Sequence, residues 1–167
     1  MVLSVTEEYN GISWKVSCNM ITTTGNGGSG GLQSAAYIAG GSTPTTTTGT
    51  QEYTKDFISP YTTCVWTGGA ALIIDKTTGM GAGTQNAALA AGGFDGPAAT
   101  ATTEEYDGTS WAAQNALITA RGYIWGNGTQ NAAVGYGGDP NVSPSNVACT
   151  EEYDGTNWSA GGNLSVG

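Results

Sequence analysis

The chain has 167 residues, 28 of them glycine, with 10% charged residues, no histidine and a net charge of −9. This length suits one domain with a buried core, and tryptophans and tyrosines recurring at fixed places exclude a disordered composition. The 13 acids face only Lys15, Lys55, Lys76 and Arg121, a balance that repels phosphate backbones and argues against nucleic-acid binding.

Met1-Val2-Leu3-Ser4-Val5 lacks the basic stretch and long apolar run of a signal peptide. No apolar run approaches the roughly 20 residues a bilayer crossing needs, so the sequence reads as soluble, made in a cytoplasm and without membrane insertion. Cys18, Cys64 and Cys149 show no Cys-x-x-Cys spacing, which predicts buried small hydrophobes and neither a zinc site nor a disulfide framework.

An internal repeat dominates the chain. Glu-Tyr occurs at 8–9, 52–53, 105–106 and 152–153, followed by Trp14, Trp66, Trp111 and Trp158. Leu32, Thr84 and Thr129 each lie 18 residues past the first three tryptophans, and the pairs Gly40-Gly41, Gly92-Gly93 and Gly137-Gly138 begin eight residues later. Asp107-Gly108 predicts a tight turn, because aspartate caps its own backbone and glycine accepts positive φ. Thr102–Tyr106 reads as a partly exposed strand, and 33–41, 85–93 and 130–138 read as buried strands of small residues. The glycine clusters at 25–31 and 79–83 lack the lysine and hydroxyl ending of a phosphate loop and read as flexible loops. No window carries a 3.6-residue apolar period, so almost no helix is expected.

Departures from the repeat locate the candidate contact residues. The second copy carries eight extra residues between Tyr53 and Trp66 and places Thr54 where a turn aspartate stands elsewhere, which predicts an irregular outer edge. The insertion presents Phe57 and Tyr61, and Phe94, Trp125 and Tyr136 are further aromatics able to stack on sugars. Trp125 stands where the other copies have Gly28 and Met80, so the repeat does not require it; filling a gap in the core is its bland use. The acid pairs Glu7-Glu8, Glu104-Glu105 and Glu151-Glu152 point to opposite faces of a strand and cannot form a two-carboxylate site. They can accept hydrogen bonds from turn amides or contribute to a calcium site. Recurrence in several copies favours a structural use, because a fold needs every copy and catalysis needs one. Without histidine, a Gly-x-Ser-x-Gly elbow or a phosphate loop, no catalytic, cofactor-binding or metal residue is expected.

Gly137-Gly138, Glu152-Tyr153-Asp154 and Trp158 follow one another in the order of the kelch motif, and the spacing extends this resemblance over nearly the whole chain. The resemblance implies an all-β, kelch-like β-propeller of about four small blades in one domain, 1–167. It would comprise three full repeats, a half repeat at the N-terminus and a closing C-terminal strand at 163–167, pairing near Val2–Val5 and Trp14. Alternatively, the series stays open and another chain or protein surface completes it. Kelch-like oxidases hold copper with histidines, which this chain lacks. The wording Thr-Glu-Glu-Tyr-Asp-Gly-Thr-Ser-Trp at 103–111, with Gly-Thr-Gln-Asn-Ala-Ala at 128–133, resembles repeats in surface proteins of tailed phages, notably marine cyanophages. That resemblance implies a non-enzymatic structural protein on the virion surface, a decoration or knob on the head whose partner is a capsid or other virion protein. The alternative is a receptor- or glycan-binding module of a tail fibre, with a host surface glycan as partner.

Overall fold

The computed structural model describes residues 4–42, 44–56, 63–141 and 147–165, and these form strands and turns with no helix. A two-stranded ladder comes first, β1 (Glu7–Tyr9) and β2 (Trp14–Val16). The first four-stranded sheet follows: β3 (Gly28–Leu32), β4 (Ala35–Ala39), β5 (Thr50–Asp56) and β6 (Thr63–Gly69). The second begins with β7 (Met80–Thr84) and β8 (Ala87–Ala91), interposes a small hairpin of β9 (Phe94–Asp95) and β10 (Ala98–Ala99), and ends with β11 (Thr103–Tyr106) and β12 (Trp111–Gln114). The third comprises β13 (Trp125–Thr129), β14 (Ala132–Tyr136), β15 (Thr150–Tyr153) and β16 (Trp158–Ala160). Each large sheet is antiparallel, pairs its strands in chain order, and leaves its edges unjoined.

Small side chains let the sheets crowd together at their first strands, where β7 packs against both β3 and β13. A Cβ on Gly81 would stand 2.4 Å from Ser29 N, and one on Gly28 would stand 2.9 Å from the Met80 carbonyl. The glycine clusters are therefore not flexible loops: much of 25–31 and nearly all of 79–83 form the innermost strands, where the missing side chain permits backbone approach. Along β8, successive residues enter different cores. Ala88 and Ala90 join Tyr37, Leu72, Tyr106 and Trp111, whereas Leu89 and Ala91 join Met80, Leu117, Ile124, Tyr153 and Trp158. The middle sheet is thus covered on both faces.

The turns follow their chemistry. Asp107 Oδ1 accepts the amides of Thr109 and Ser110, both at 2.8 Å, and Gly108 takes φ 88°. Asn10 and Asp154 repeat the arrangement with Gly11 and Gly155.

Three expectations are corrected. Among the described residues the second copy is regular at its outer edge: β5 and β6 pair without interruption to Asp56 opposite Thr63, three pairs beyond Tyr53 and Trp66, and residues 57–62 lie outside the described residues. Among the described residues, 163–165 do not join the N-terminal ladder as a closing strand; Val2, Leu3, Val166 and Gly167 of the expected pairing lie outside them. Leu164 N–H donates instead to the Ala148 carbonyl at 2.7 Å, as Leu72 does to Thr48 and Leu117 to Ala101. The tail repeats the local tie that follows each tryptophan. The three cysteines are half-buried and not core hydrophobes, each lying beside polar groups.

Candidate functional site

The recurrent polar residues join one unit to the next. The Tyr53 hydroxyl donates to Glu8, Tyr106 to Glu52 at 2.6 Å, and Tyr153 to Glu105 at 2.9 Å. Beside them, the indole N–H of Trp66 donates to Thr6 Oγ1 at 2.9 Å, Trp111 to Thr50 at 3.0 Å, and Trp158 to Thr103 at 2.9 Å. Burial and the facing Glu52 carboxylate raise the Tyr106 hydroxyl to about 12, so it remains a donor across the neutral range.

The other member of each acid pair turns the opposite way, as strand alternation requires. Glu104 is buried and accepts the amides of Ile73 at 2.7 Å and Ile74 at 3.3 Å, with Lys76 Nζ 3.0 Å away. Glu151 repeats this with Ile118, Thr119 and, at 2.6 Å, Arg121 Nη2. Desolvation holds the Lys76 ammonium below the usual lysine range despite the opposing pull of Glu104. In the first large sheet, Gln51 takes the carboxylate's place, bonding Thr22 N at 3.0 Å and Thr24 Oγ1 at 3.3 Å. Residues 24, 76 and 121 all lie ten positions past a tryptophan, so a neutral pair substitutes for an ionic one at the same joint. The sequence reading saw the acids and missed their cations; the signal was this shared offset.

An outer cavity of about 340 Å³ is lined by Glu8, Lys15, Ser17, Cys18, Lys55 and Cys64. Glu8 accepts from Ser17 at 2.7 Å, from Tyr53 and from Lys55. Partial burial opposes its ionisation, but these bonds prevail and bring the carboxyl from 4.5 down to about 2. Burial and the adjacent Cys64 push the Cys18 thiol up to about 11, whereas bonds from Cys18 and Ser17 outweigh burial and lower Cys64. A carboxyl with a depressed folded value contributes stability above its ordinary value and loses that contribution as pH falls toward the folded value. The melting temperature of the wild type should therefore exceed that of Glu8→Gln at neutral pH, with the gap closing between pH 4.5 and about 2 in a thermal scan series. A gap independent of pH would refute the role of the carboxylate.

A different surface gathers the predicted aromatics. Trp125 is 72% exposed at the start of β13 and does not fill a core gap: it borders an open hollow with Gly27, Gly28, Gly79 and Gly81. Tyr136 lies opposite it in the ladder and is half-buried. Phe94 packs edge-on against Tyr123 with ring centroids 5.2 Å apart, and Tyr123 is itself 59% exposed. Tyr123, Ile124 and Trp125 line a shallow apolar hollow of about 140 Å³ with Asn26, Gly27 and Thr78. Phe57 and Tyr61 lie outside the described residues. Tyr123 escaped the sequence reading although, like Trp125, it is an aromatic where the other copies carry none: Asn26 and Thr78 hold its place. All three equivalent residues have positive φ, at 59°, 56° and 50°, a conformation costly for threonine and tyrosine whose recurrence makes it part of the fold; the aromatic side chain at 123 is what sets this copy apart. The hollow is well below the roughly 300 Å³ of sites that enclose a drug-sized ligand. It has no charged lining residue, and it can present ring faces to a neutral, C–H-rich surface such as that of a sugar. Among the described residues, no group of three or more Cys, Asp and Glu is arranged to hold a metal ion.

These residues define an all-β protein of repeated antiparallel sheets joined by side-chain seams. No family model and no curated protein matches the chain. A solved structure entitled "Structure of YjhT" is similar in fold, with a TM-score of 0.71 at 12% identity over 89% of this chain and 49% of that one. The chain spans about half the length of that protein, and the likeness concerns the fold alone.

Proposed function

We propose that the three large sheets and the N-terminal ladder are blades of a kelch-like propeller, about four in number with the first represented by its outer strands. The chain serves as a non-enzymatic structural protein on the surface of a phage virion, a decoration or knob attached to the head, with a capsid or other virion protein as its partner. The observation that supports a structural role is the use of the recurrent acids. Glu8, Glu52, Glu104, Glu105 and Glu151 each bind a neighbouring unit, so they serve rigidity and are not held in reserve for chemistry. The virion assignment rests on the resemblance of 103–111 and 128–133 to tailed-phage repeats.

Exposed Trp125 beside Tyr123 favours a second reading, a glycan-binding module of a fibre. One experiment separates the two. Antibodies against the chain, applied to separated heads and tails of a phage that encodes it, should label the heads, and Trp125→Ala should leave that labelling unchanged. Labelling of tail fibres, with glycan-array binding abolished by Trp125→Ala, would replace the decoration reading by the glycan-binding one. Labelling of neither would overturn both.

A further inference from the structure

The seams are formed from two unlike halves, and at the two ends of the series each half stands alone. On the first side, Tyr9 and Trp14 keep the stacked geometry of the other copies, with centroids 5.3 Å apart against 5.0 Å for Tyr106 and Trp111. They are nevertheless 47% and 67% exposed, whereas Tyr106 and Trp111 are 2% and 7% exposed. Glu7, in the place of buried Glu104 and Glu151, is also exposed.

The last side offers the matching half. Glu152 is exposed and corresponds to Glu52 and Glu105, the carboxylates that accept tyrosine hydroxyls elsewhere. Thr150 corresponds to Thr50 and Thr103, the acceptors of indole N–H groups; its own proton goes to the Gly162 carbonyl at 2.6 Å, leaving its oxygen open to accept.

We infer that these two faces are complementary interaction surfaces and that the β1–β2 ladder of one copy docks on the β15–β16 face of a second copy. Tyr9 donates to Glu152, the Trp14 indole to Thr150, and Glu7 accepts the amide of Ser165, which follows Leu164 as Ile73 follows Leu72 and Ile118 follows Leu117. The joint is confined to outer strands, since the ladder has no inner pair. It is heterologous, so it propagates head to tail and ends in a closed ring or a filament. Each copy carries a charge of −9, so association is measured near physiological salt, where repulsion between exposed charges is screened.

The test uses the purified chain and three variants altered only at exposed residues, with folding checked by circular dichroism. Sedimentation equilibrium of the wild type should show mass rising with concentration beyond the monomer. Trp14→Ala and Glu152→Arg should each be monomeric alone, because each loses one half of the joint. Mixed in equal amounts, they should form a one-to-one dimer through their two intact halves, and Tyr9→Phe, lacking only the hydroxyl, should weaken self-association. A wild type monomeric at every concentration, either blocked variant associating alone, or a mixture that stays monomeric would each overturn the proposal.

Discussion

Glu151→Ala should lower the unfolding free energy by about 3–5 kcal/mol, the scale expected when one partner of a buried ion pair is removed and the other is left in place. Arg121 is fully buried, with Nη2 on Glu151 at 2.6 Å and Nη1 on the carbonyls of Gly137 and Cys149 at 2.9 and 3.0 Å. Without the carboxylate, the guanidinium faces carbonyls alone, and the amides of Ile118 and Thr119 lose their acceptor. Urea denaturation would measure the loss. The double variant Glu151→Gln with Arg121→Thr should recover part of it, because Gln51 and Thr24 already form a neutral joint at the equivalent place. A single-variant loss below about 1 kcal/mol, the range of exposed pairs, would refute a buried, coupled role.

Trp111→Ala should cost about 3–5 kcal/mol, the range for removing a large aromatic from a core. Trp111 is 7% exposed, its ring lies 5.0 Å from that of Tyr106 and 6.5 Å from that of Tyr37, and its N–H reaches Thr50 Oγ1 and the Ala70 carbonyl. The truncation opens a void between the first two large sheets and orphans two acceptors. Trp14→Ala, at the equivalent but exposed position, supplies the control. At low protein concentration it should cost no more than about 0.5 kcal/mol, the scale of surface substitutions. Equal losses for the two tryptophans would show that burial does not set the cost.

The units were legible because their signals are local. Asp107-Gly108 must turn, threonine-rich 102–106 suits a strand, and paired glutamates on a strand must diverge. The joints were harder to read because each is written in two distant places. Thr24, Lys76 and Arg121 share a position but no residue type, so a search for repeated letters passes over them; only their match to Gln51, Glu104 and Glu151 gives them meaning. The inner strands were mistaken for loops because glycine signals both freedom and close approach, and the choice between them lies in what Gly28 and Gly81 meet across the seam. Trp125 was weighed as a core filler because the sequence does not show that the start of β13 borders an open hollow and not a packed core.

The pairing of residue types across the joints bears on how such a gene can lengthen. A tandem duplication of the segment 104–150 would set Arg121 of one unit before a second Glu104, so the new boundary would again join a cation to a carboxylate. Duplicating 51–103 would instead place buried Lys76 against a second Gln51, burying an ammonium without a counter-charge. The first insertion yields a longer array that folds at once, whereas the second needs a compensating substitution at 76 or 51. Changes in unit number are therefore expected to fall preferentially on the segments whose two ends already match in charge.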